Sequence, residues 1–541
     1  MKCNIEVIEN KMLYKAALYV VFAILLIITI SNKADMFMDE VYSYGLANHV
    51  YSGTGPSRME PIEGVTYSPA ENAYLEYMTA QEDGRFNYKN VWKNQSNDVH
   101  PPLYYALLHT ICSLFPGTYS AWYAGVINII FALLTLWAVR KLVEILIGDN
   151  RVKAIISLSF IATAGILDSF AQFRMYVMAM FWVTLLAYLF VKGIRDAYTK
   201  GWYLAVFLVS VCGALTHYYV IVWLFFLSCF WGGYMLYNRQ WKSLLAFCAD
   251  MLLAGGITIA IFPAMLIHIF GVKNYSPTTV DMLDFSFFEY IIRLIKFCRM
   301  IDLDIFAGTL IYILIAILFC TLIFLKYHIS FRKDMKTVIT NLGKKGKDKE
   351  QFFCWFLLII SCICYFILVG RIAKYNLERY MYPIYAICFV IGACCIWYIV
   401  ITLSKKVYCL QVFGMVMLML VINSWIVCTW NNLYLSGKES IETAKEYSDK
   451  ECFFVYPEGK GNYLHSSFYE IRNYDEITFI TEENLELLDN LSVKDKLDFV
   501  VYITKNCDEE SVLKTILNTC HLVDEYEQIS DYESAYGYYL Q

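Results

Sequence analysis

Charged side chains are scarce in this chain. Only 17% of its 541 residues are Asp, Glu, Lys or Arg, whereas 58% are hydrophobic and the mean hydropathy is +0.47. An average soluble protein carries about 25% charged residues, and a soluble core cannot hide this much apolar surface. The scarcity of charge therefore excludes a soluble globular domain and predicts that lipid surrounds most of the chain.

Several chemical signatures are also missing. The sequence has no Cys-x-x-Cys pair with zinc spacing, and its tail has neither a glycine-rich phosphate loop nor a Ser-His-Asp arrangement. Most of the 18 cysteines fall inside apolar runs, where a thiol behaves as a small hydrophobe. We therefore expect neither a disulfide framework nor structural zinc. No basic block stands apart from the membrane flanks, which argues against a nucleic-acid partner.

Long apolar runs, by contrast, are abundant and indicate spanning helices. We predict about eleven spans, with an upper limit of thirteen, near 12–30, 119–140, 152–168, 174–192, 202–217, 218–237, 243–270, 305–326, 352–370, 380–402 and 407–429. The first is expected to be a retained anchor, because it lacks a small-residue cleavage site. Basic loops, including Lys326–Lys349 and Lys405-Lys406, place the N-terminus in the cytoplasm and the C-terminus outside. The apolar segment Leu103–Phe115 is too short to span and predicts a helix at the membrane surface.

The predicted fold class is an all-α polytopic membrane protein with a small C-terminal α/β domain outside the membrane. Residues 1–430 form the membrane domain, and its first outer loop, 31–118, carries juxtamembrane helices. In 431–541, strand-like runs at Cys452–Tyr456 and Phe499–Thr504 alternate with amphipathic stretches, which predicts the α/β domain. The stretch Phe285–Met300 predicts an amphipathic helix, which either lies in the interface or packs on its neighbours.

The first outer loop begins and ends with polar residues that suit catalysis. Asp39 and Glu40 follow the first span, where adjacent carboxylates raise each other's pKa and one can act as a general base. The alternative is that both are solvated residues at a helix end. Asp98 and His100 precede Pro101-Pro102, and the prolines hold the chain in a fixed direction before a helix. The alternative there is a simple helix start.

Cations on the outer face run against the bias that keeps positive charge inside. Arg174 and Arg379 stand at the starts of spans, and Lys374 lies in the same turn as Arg379. A guanidinium can bind phosphate oxygens with two parallel hydrogen bonds, and we expect Asp168 to hold that of Arg174. Snorkelling toward water or a bridge to the acidic tail are the alternatives. His217, alone in a tight turn, is more often an interfacial histidine than a ligand.

These motifs resemble those of a known superfamily. In chain order over residues 12–400 they are Asp39-Glu40, Asp98-Val99-His100-Pro101-Pro102-Leu103-Tyr104-Tyr105, Phe173-Arg174-Met175-Tyr176, Thr216-His217-Tyr218-Tyr219 and Arg379-Tyr380. The order resembles the GT-C polytopic glycosyltransferases, specifically the bacterial branch similar to protein O-mannosyltransferases (glycosyltransferase family 39) and the lipid A aminoarabinose transferase. The resemblance implies transfer of a sugar, with inversion, from a polyprenyl-phosphate donor to an envelope glycan, lipid or protein at the outer face of the cell membrane.

The resemblance also implies roles for individual residues. Asp39 is the expected base and Glu40 its helper. The expected substrate and phosphate ligands are Asp98, His100, Arg174, Tyr176, His217, Lys374, Arg379 and Tyr380. The aminoarabinose enzymes have Glu-Lys before the two prolines, where Val99-His100 stands here, so His100 or Lys374 would replace that lysine as phosphate clamp. A divalent cation held by Asp39, Glu40 and Asp98 is left open.

Two other functions fit a polytopic membrane protein. The first is a lipid or glycan transporter or flippase, which typically has paired broken helices and an internal repeat. The sequence shows neither, and its polar residues cluster at one interface. The second is an inactive GT-C relative that acts as a binding module through its tail.

Overall fold

The computed structural model describes residues 2–50, 59, 61–196, 198–270, 286–326, 345–404, 407–490, 498–520, 522–523 and 525–541, with the backbone alone at 2–12, 323–326, 345–348, 462 and 489–490. Three features that we predicted therefore lie outside the described residues. They are most of the basic loop Lys326–Lys349, the pair Lys405-Lys406, and Phe285 at the start of the amphipathic helix.

Helices make up most of the described chain. In chain order they are α1 (Lys2–Ser31), α2 (Met38–Asn48), α3 (Asn72–Met78), α4 (Tyr88–Asn97), α5 (Leu103–Leu114), α6 (Trp122–Ile147), α7 (Asn150–Ala162), α8 (Ala164–Phe170), α9 (Tyr176–Arg195), α10 (Lys200–Thr216), α11 (Tyr218–Tyr237), α12 (Trp241–Ile261), α13 (Ala264–Phe270), α14 (Phe287–Phe306), α15 (Leu310–Lys326), α16 (Lys345–Ile372), α17 (Tyr382–Leu403), α18 (Cys409–Val427), α19 (Lys438–Glu446), α20 (Phe468–Ile471) and α21 (Glu509–Thr519). The strands are β1 (Thr66–Tyr67), β2 (Glu451–Tyr456), β3 (Glu476–Thr481), β4 (Phe499–Thr504), β5 (Tyr526–Tyr532) and β6 (Ala535–Leu540).

Each of the eleven predicted spans falls on one or two of these helices. Within the described residues, eight helices are long and apolar enough to cross a membrane, and the number rises to ten if two bent pairs each count as one span. The bent pairs are α7 with α8, at 58°, and α14 with α15, at 86°. The second bend follows from left-handed backbone at Ala307 and Gly308. The remaining predicted span is α10, which has 17 residues, so the multi-pass fold class is confirmed.

Two shorter predictions from the sequence also meet helices. The segment Leu103–Phe115 forms α5, a 12-residue apolar helix that is too short to span. The described part of Phe285–Met300 belongs to α14, whose Phe287 and Phe288 rings are largely exposed. Tyr290 of α14 donates a hydrogen bond to the Ile367 carbonyl at 2.6 Å. The helix therefore packs against α16 on one side and presents aromatic rings on another.

The chain divides by its contacts into two compact units. The membrane unit comprises Met1–Thr29 and Asn128–Trp430, and the sheet unit comprises Ile30–Ile127 and Asn431–Gln541. This division differs from our prediction, which grouped the first outer loop with the membrane helices. The loop belongs to the sheet unit because β1, from that loop, pairs with β3 through Thr66 and Thr478. The Ala34 amide also donates to the Leu433 carbonyl at 2.8 Å.

The sheet unit is built on a six-stranded sheet formed by the described residues, in the order β1-β3-β2-β4-β6-β5. Strand β2 runs parallel to β3 and β4, and β6 is antiparallel to both β4 and β5. The predicted strand-like runs become β2 and β4, which are almost wholly buried. Near-continuous apolar sequence is typical of central parallel strands, because both of their faces are covered. Helix α21 packs on this core through Val512, Leu513 and Ile516.

Buried carboxyl groups from both parts of the sheet unit lie near one another. Asp35 precedes α2, and Glu470 lies on α20, where its Oε1 accepts a hydrogen bond from Ser530 at 2.7 Å. Burial raises the pKa of Asp35 to about 7 and that of Glu470 to about 8. The charge of Glu533 raises both pKa values further, whereas Lys33 lowers that of Asp35. Both carboxyl groups therefore keep their protons more tightly in the folded protein than in an unfolded chain.

We predict that the sheet unit becomes less stable as the pH rises from about 5 to about 8, because the unfolded chain releases these protons first. The melting temperature of the purified protein in detergent measures this effect. Asp35→Asn and Glu470→Gln should each flatten the dependence. Asp475→Asn, at an exposed position of the same unit, should leave it unchanged. A slope that neither buried substitution alters would contradict the assignment.

Candidate active site

Helix α2 is the most enclosed element around the predicted catalytic residues. Of its eleven residues, all but Met38, Asp39 and Tyr42 are buried. Gly45 makes this packing possible, since a Cβ at that position would lie 1.9 Å from Cζ of Tyr77. A helix surrounded in this way leaves little freedom to the side chains that it presents to solvent.

Asp39 is the carboxylate that α2 leaves accessible. It is half-buried and lies in the first turn of the helix. A negative charge is favoured there, because the amide groups of the first turn point toward it. Within the same helix, the Ser43 hydroxyl donates to the Asp39 carbonyl at 3.1 Å. The expected role of Asp39 as general base stays a prediction.

Glu40 has a different environment from that of its neighbour. Its side chain is fully buried, and its Oε2 lies 3.0 Å from Nζ of Lys33. The same oxygen accepts a hydrogen bond from the Phe37 amide at 2.8 Å, which caps the helix. A carboxylate with these two partners stabilises the start of α2. We therefore assign Glu40 to positioning the helix that carries Asp39, which narrows its predicted role as helper.

Lys33 links this region to the C-terminal segment. Its Nζ donates to the Asn432 carbonyl at 2.5 Å and lies 4.6 Å from the centre of the Tyr434 ring. Tyr434 in turn stacks on Phe37, with 6.2 Å between ring centres. The sequence carried one signal for Lys33, namely a cation at the outer end of the first span. Its partners in the C-terminal segment, Asn432 and Tyr434, lie about 400 residues away in the sequence and could not be inferred from it.

Asp98 and His100 form a pair, which was not predicted from the sequence. Oδ2 of Asp98 lies 2.7 Å from Nδ1 of His100, and both side chains are mostly buried. Asp98 ends α4, and the prolines that follow lead directly into α5. Two asparagines of α4 donate to backbone carbonyls at the C-terminal end of α2: Asn90 to that of His49, and Asn94 to those of His49 and Leu46. These bonds attach α4 to the helix that carries Asp39.

Arg174 lies in a braced turn of the membrane unit. The residue is buried and lies two residues before α9, the most enclosed of the candidate spans. The side-chain amide of Asn128 donates to the Phe170 carbonyl at 3.0 Å and to the Gln172 carbonyl at 2.6 Å. These bonds fix the turn between α8 and α9. Asp168 is buried in the same segment, and its expected ion pair with Arg174 stays a prediction.

Four further predicted residues are connected through aromatic rings. The ring centre of Tyr176 lies 5.1 Å from that of His217, and His217 lies 4.6 Å from Tyr219. Tyr219 then lies 5.9 Å from Tyr380, next to the buried Arg379. His217 also ends α10 and caps α11, because its Nδ1 accepts a hydrogen bond from the Tyr219 amide at 3.0 Å. The structure thus brings Tyr176, His217, Arg379 and Tyr380 into one cluster and gives His217 a capping role.

Lys374 differs from the two arginines in its exposure. It is exposed, with Nζ 5.2 Å from the centre of the Tyr375 ring. An exposed ammonium interacts with an anion more weakly than a buried guanidinium does, because water screens it. Its assignment as phosphate clamp stays a prediction.

One acidic residue of the membrane unit, Asp304, was not singled out in the sequence. Oδ2 of Asp304 accepts a hydrogen bond from the Tyr385 hydroxyl at 2.6 Å. Asp304 itself is half-buried. Helices α8 and α14 meet closely there, since a Cβ on Gly165 would lie 2.3 Å from the Asp304 carbonyl. The carboxylates of Asp168 and Glu378 are near enough to interact with its charge. The signal available in the sequence was a carboxylate next to an apolar run, which marks functional sites in membrane proteins.

The sequence left open whether Asp39, Glu40 and Asp98 hold a divalent cation together, and the described part of the chain bears on this arrangement. There, no group of three or more His, Cys, Asp or Glu side chains is arranged to hold a metal ion. Asp39, Glu40 and Asp98 therefore do not form a common metal site, and Glu40 is turned toward Lys33.

We predict that Glu40→Gln lowers the free energy of unfolding by about 3 kcal/mol, because it leaves the buried ammonium of Lys33 without its carboxylate. The double variant Lys33→Met/Glu40→Gln should recover part of that loss. Unfolding in detergent, monitored by circular dichroism, measures both variants. Glu439→Gln, at an exposed position of α19, is the matched control. If Glu40→Gln kept full stability but lost activity, Glu40 would instead take part directly in the reaction.

Three solved structures of other membrane proteins are similar to this chain. The crystal structure of ArnT from Cupriavidus metallidurans bound to undecaprenyl phosphate matches with a TM-score of 0.50, at 11% identity, over 97% of each chain. Its apo state matches with a TM-score of 0.48 at 10% identity, covering 96% of this chain and 97% of that one. The archaeal oligosaccharyltransferase AglB from Archaeoglobus fulgidus, in complex with an inhibitory peptide and a dolichol-phosphate, matches with a TM-score of 0.42 at 10% identity, covering 91% of this chain and 70% of that one.

No family model and no curated protein sequence matches this chain. At 11% identity the likeness to ArnT is one of fold, and it extends over nearly the whole length of both chains. It agrees with the fold that the sequence motifs predict. The chain is a multi-pass membrane protein with the GT-C fold.

Proposed function

We propose that this protein transfers a sugar from a polyprenyl-phosphate donor to an acceptor outside the cytoplasm, with inversion at the anomeric carbon. The observation that carries the proposal is the division between two adjacent carboxylates. Glu40 is buried against Lys33, whereas Asp39 is presented by a helix that is otherwise enclosed. The ArnT structure of the same fold has undecaprenyl phosphate bound, which supports a lipid phosphate as the donor's leaving group.

Asp39 acts as the general base in this proposal. Its carboxylate takes the proton of the acceptor hydroxyl while the hydroxyl oxygen forms a bond to the anomeric carbon. The bond from that carbon to the phosphate oxygen breaks, and its electron pair leaves with the phosphate. The lipid anchor already confines the donor to the membrane, so less orientational entropy is lost when the two substrates meet.

Arg174 and Arg379 stabilise the negative charge that develops on the leaving phosphate. Both are buried, and each lies close to the start of a long helix: Arg174 is two residues before α9 begins at Tyr176, and Arg379 is three residues before α17 begins at Tyr382. Helix N-termini favour anions, and a preorganised guanidinium in a dry site interacts strongly with phosphate. Tyr380 packs on Arg379, with 5.7 Å between the guanidinium carbon and the ring centre, and Tyr176 and His217 belong to the same ring cluster. In this proposal Asp98, His100 and Lys374 bind the donor's sugar and phosphate.

The proposal places the reaction on the outer face of the membrane. The N-terminus lies in the cytoplasm and the sheet unit outside, as the distribution of basic residues suggests. The acceptor is an envelope glycan, lipid or protein.

We predict that Asp39→Asn slows sugar transfer by roughly 10²-fold to 10⁴-fold, the usual contribution of a general base, with an unchanged melting temperature. The assay combines purified protein, radiolabelled polyprenyl-phosphate sugars and a cell-envelope extract. Asp83→Asn removes an exposed carboxylate of the same unit and should transfer at the wild-type rate. The proposal is refuted if no donor releases sugar, or if the wild type and Asp39→Asn are equal.

A second prediction concerns the arginines. Arg174→Gln and Arg379→Gln should each reduce kcat by roughly 10²-fold or more, because each removes a preorganised charge from the phosphate. The lysine variants at both positions should retain more activity, since they keep the charge but lose the two-bond geometry. Arg151→Gln, at an exposed site of the membrane unit, is the control. Wild-type kinetics in the arginine variants would contradict the assignment of phosphate binding to these two residues.

A further inference from the structure

The accessible part of α2 is a small patch that contains more than the base. Three residues of the helix are not buried, namely Met38, Asp39 and Tyr42. Tyr42 follows Asp39 by three residues, a spacing that places the two side chains on neighbouring positions, about 5–6 Å apart at Cβ. That separation is close to the width of one sugar ring. An aromatic ring therefore stands beside the proposed base.

The Tyr42 ring is supported from behind by the C-terminal segment. The centre of the His465 ring lies 4.3 Å from that of Tyr42, and His465 is fully buried. His465 also lies 5.1 Å from Tyr77, which in turn lies 5.4 Å from His49 at the end of α2. The four rings thus form a continuous series of tilted ring contacts. The orientation of Tyr42 is thus set by a residue more than 400 positions away in the chain.

The segment that carries His465 is itself tightly held. The Tyr74 hydroxyl donates to the Leu464 carbonyl at 3.0 Å. Gly461 approaches the backbone so closely that a Cβ there would lie 2.3 Å from the Met59 carbonyl. These contacts fix the 3-10 helix Gly461–Ser467 against the first outer loop. The ring of His465 therefore has a fixed position before any ligand binds.

We propose that Tyr42 is the platform on which a sugar ring of a carbohydrate acceptor stacks beside Asp39, and that His465 fixes the orientation of this platform. The inference rests on the proposed function and names its acceptor class. The face of an aromatic ring carries partial negative charge and attracts the slightly positive C–H groups of a sugar. A hydroxyl of the same sugar then reaches the carboxylate of Asp39.

The composition of the patch favours a carbohydrate over other acceptors. Helix α2 contains neither Lys nor Arg, so it offers no cation to an anionic lipid headgroup. A sugar presents an apolar face and a reactive hydroxyl within one ring, which matches an aromatic ring and a carboxylate one helical turn apart. Tyr42 is therefore a specificity-determining residue for the acceptor, and His465 is a positioning residue.

The test measures acceptor and donor kinetics separately. The acceptors are methyl glucoside, methyl mannoside and methyl N-acetylglucosaminide, offered to the full-length protein with a radiolabelled polyprenyl-phosphate sugar. Tyr42→Leu should raise the KM of the glycoside that is used by roughly fivefold or more, because the stacking surface is lost. The KM of the donor should stay within about twofold, since the loss is confined to acceptor binding. Tyr42→Phe keeps the ring, so its acceptor KM should stay well below that of Tyr42→Leu.

Variants of His465 separate positioning from simple destabilisation. His465→Ala should raise the acceptor KM in the same direction as Tyr42→Leu, and His465→Phe should restore it by replacing the ring. Tyr526→Leu removes a half-exposed tyrosine of the same unit and should change neither constant. Melting temperatures are measured for every variant, and the comparison of Tyr42→Phe with Tyr42→Leu holds even if His465→Ala unfolds.

Two results would overturn the inference and leave the proposed function intact. One is an unchanged acceptor KM in Tyr42→Leu. The other is label that appears in the protein or lipid fraction of an envelope extract while none of the glycosides is used. The absence of any sugar release from the donor by the wild type would refute the proposed function itself, and this inference with it.

Discussion

The buried ion pair between Lys33 and Glu40 is the constraint on which the proposed catalytic helix depends. It joins the residue that follows the first span to the first turn of α2. Lys33 also binds the Asn432 carbonyl, so the same charge connects the first outer loop to the C-terminal segment. Removing one partner of a buried pair is costly, because the other charge stays desolvated. Three interactions therefore hold the start of α2: the Lys33–Glu40 ion pair, the Phe37 amide bond to Glu40, and the Lys33 bond to the Asn432 carbonyl. Asp39 lies in this first turn.

The two adjacent carboxylates have separate roles because of helix geometry. Consecutive residues of an α-helix point about 100° apart, so one side chain can face the interior while the next faces solvent. Glu40 is turned inward to Lys33 and the Phe37 amide, and Asp39 outward. The ion pair and the helix cap offset the cost of burying the inward carboxylate, while the outward one is half-buried. The same packing presents Tyr42 beside it.

Much of the fold was predictable because the bilayer imposes a simple rule on sequence. Spans must be long and apolar, and each predicted run proved to be helical. The prolines at 101 and 102 predicted the start of α5, whereas the pairing of Asp98 with His100 was found only in the structure. The domain division was not predictable from local pattern. Strand β1 has two residues, Thr66 and Tyr67, which carry no strand signal of their own and pair with a strand some 400 residues later.

The candidate site was predictable in residue type but not in environment. Asp39 and Glu40 look equivalent in sequence, and only tertiary packing distinguishes them. The support of Tyr42 by His465, and the hydrogen bond of Asp304 with Tyr385, likewise join residues that are distant in the chain. Arg174 and Arg379 were visible as outer cations, whereas their burial required the helices around them.

The central proposal is that Asp39 takes the proton of the acceptor and that Arg174 and Arg379 bind the phosphate of the donor. The most direct measurement is an experimental structure of the protein with a polyprenyl-phosphate sugar bound. The account predicts guanidinium nitrogens of both arginines within about 3 Å of phosphate oxygens, with the Asp39 carboxylate on the opposite side of the sugar ring. A phosphate bound elsewhere, or a sugar whose far side is out of reach of Asp39, would contradict it.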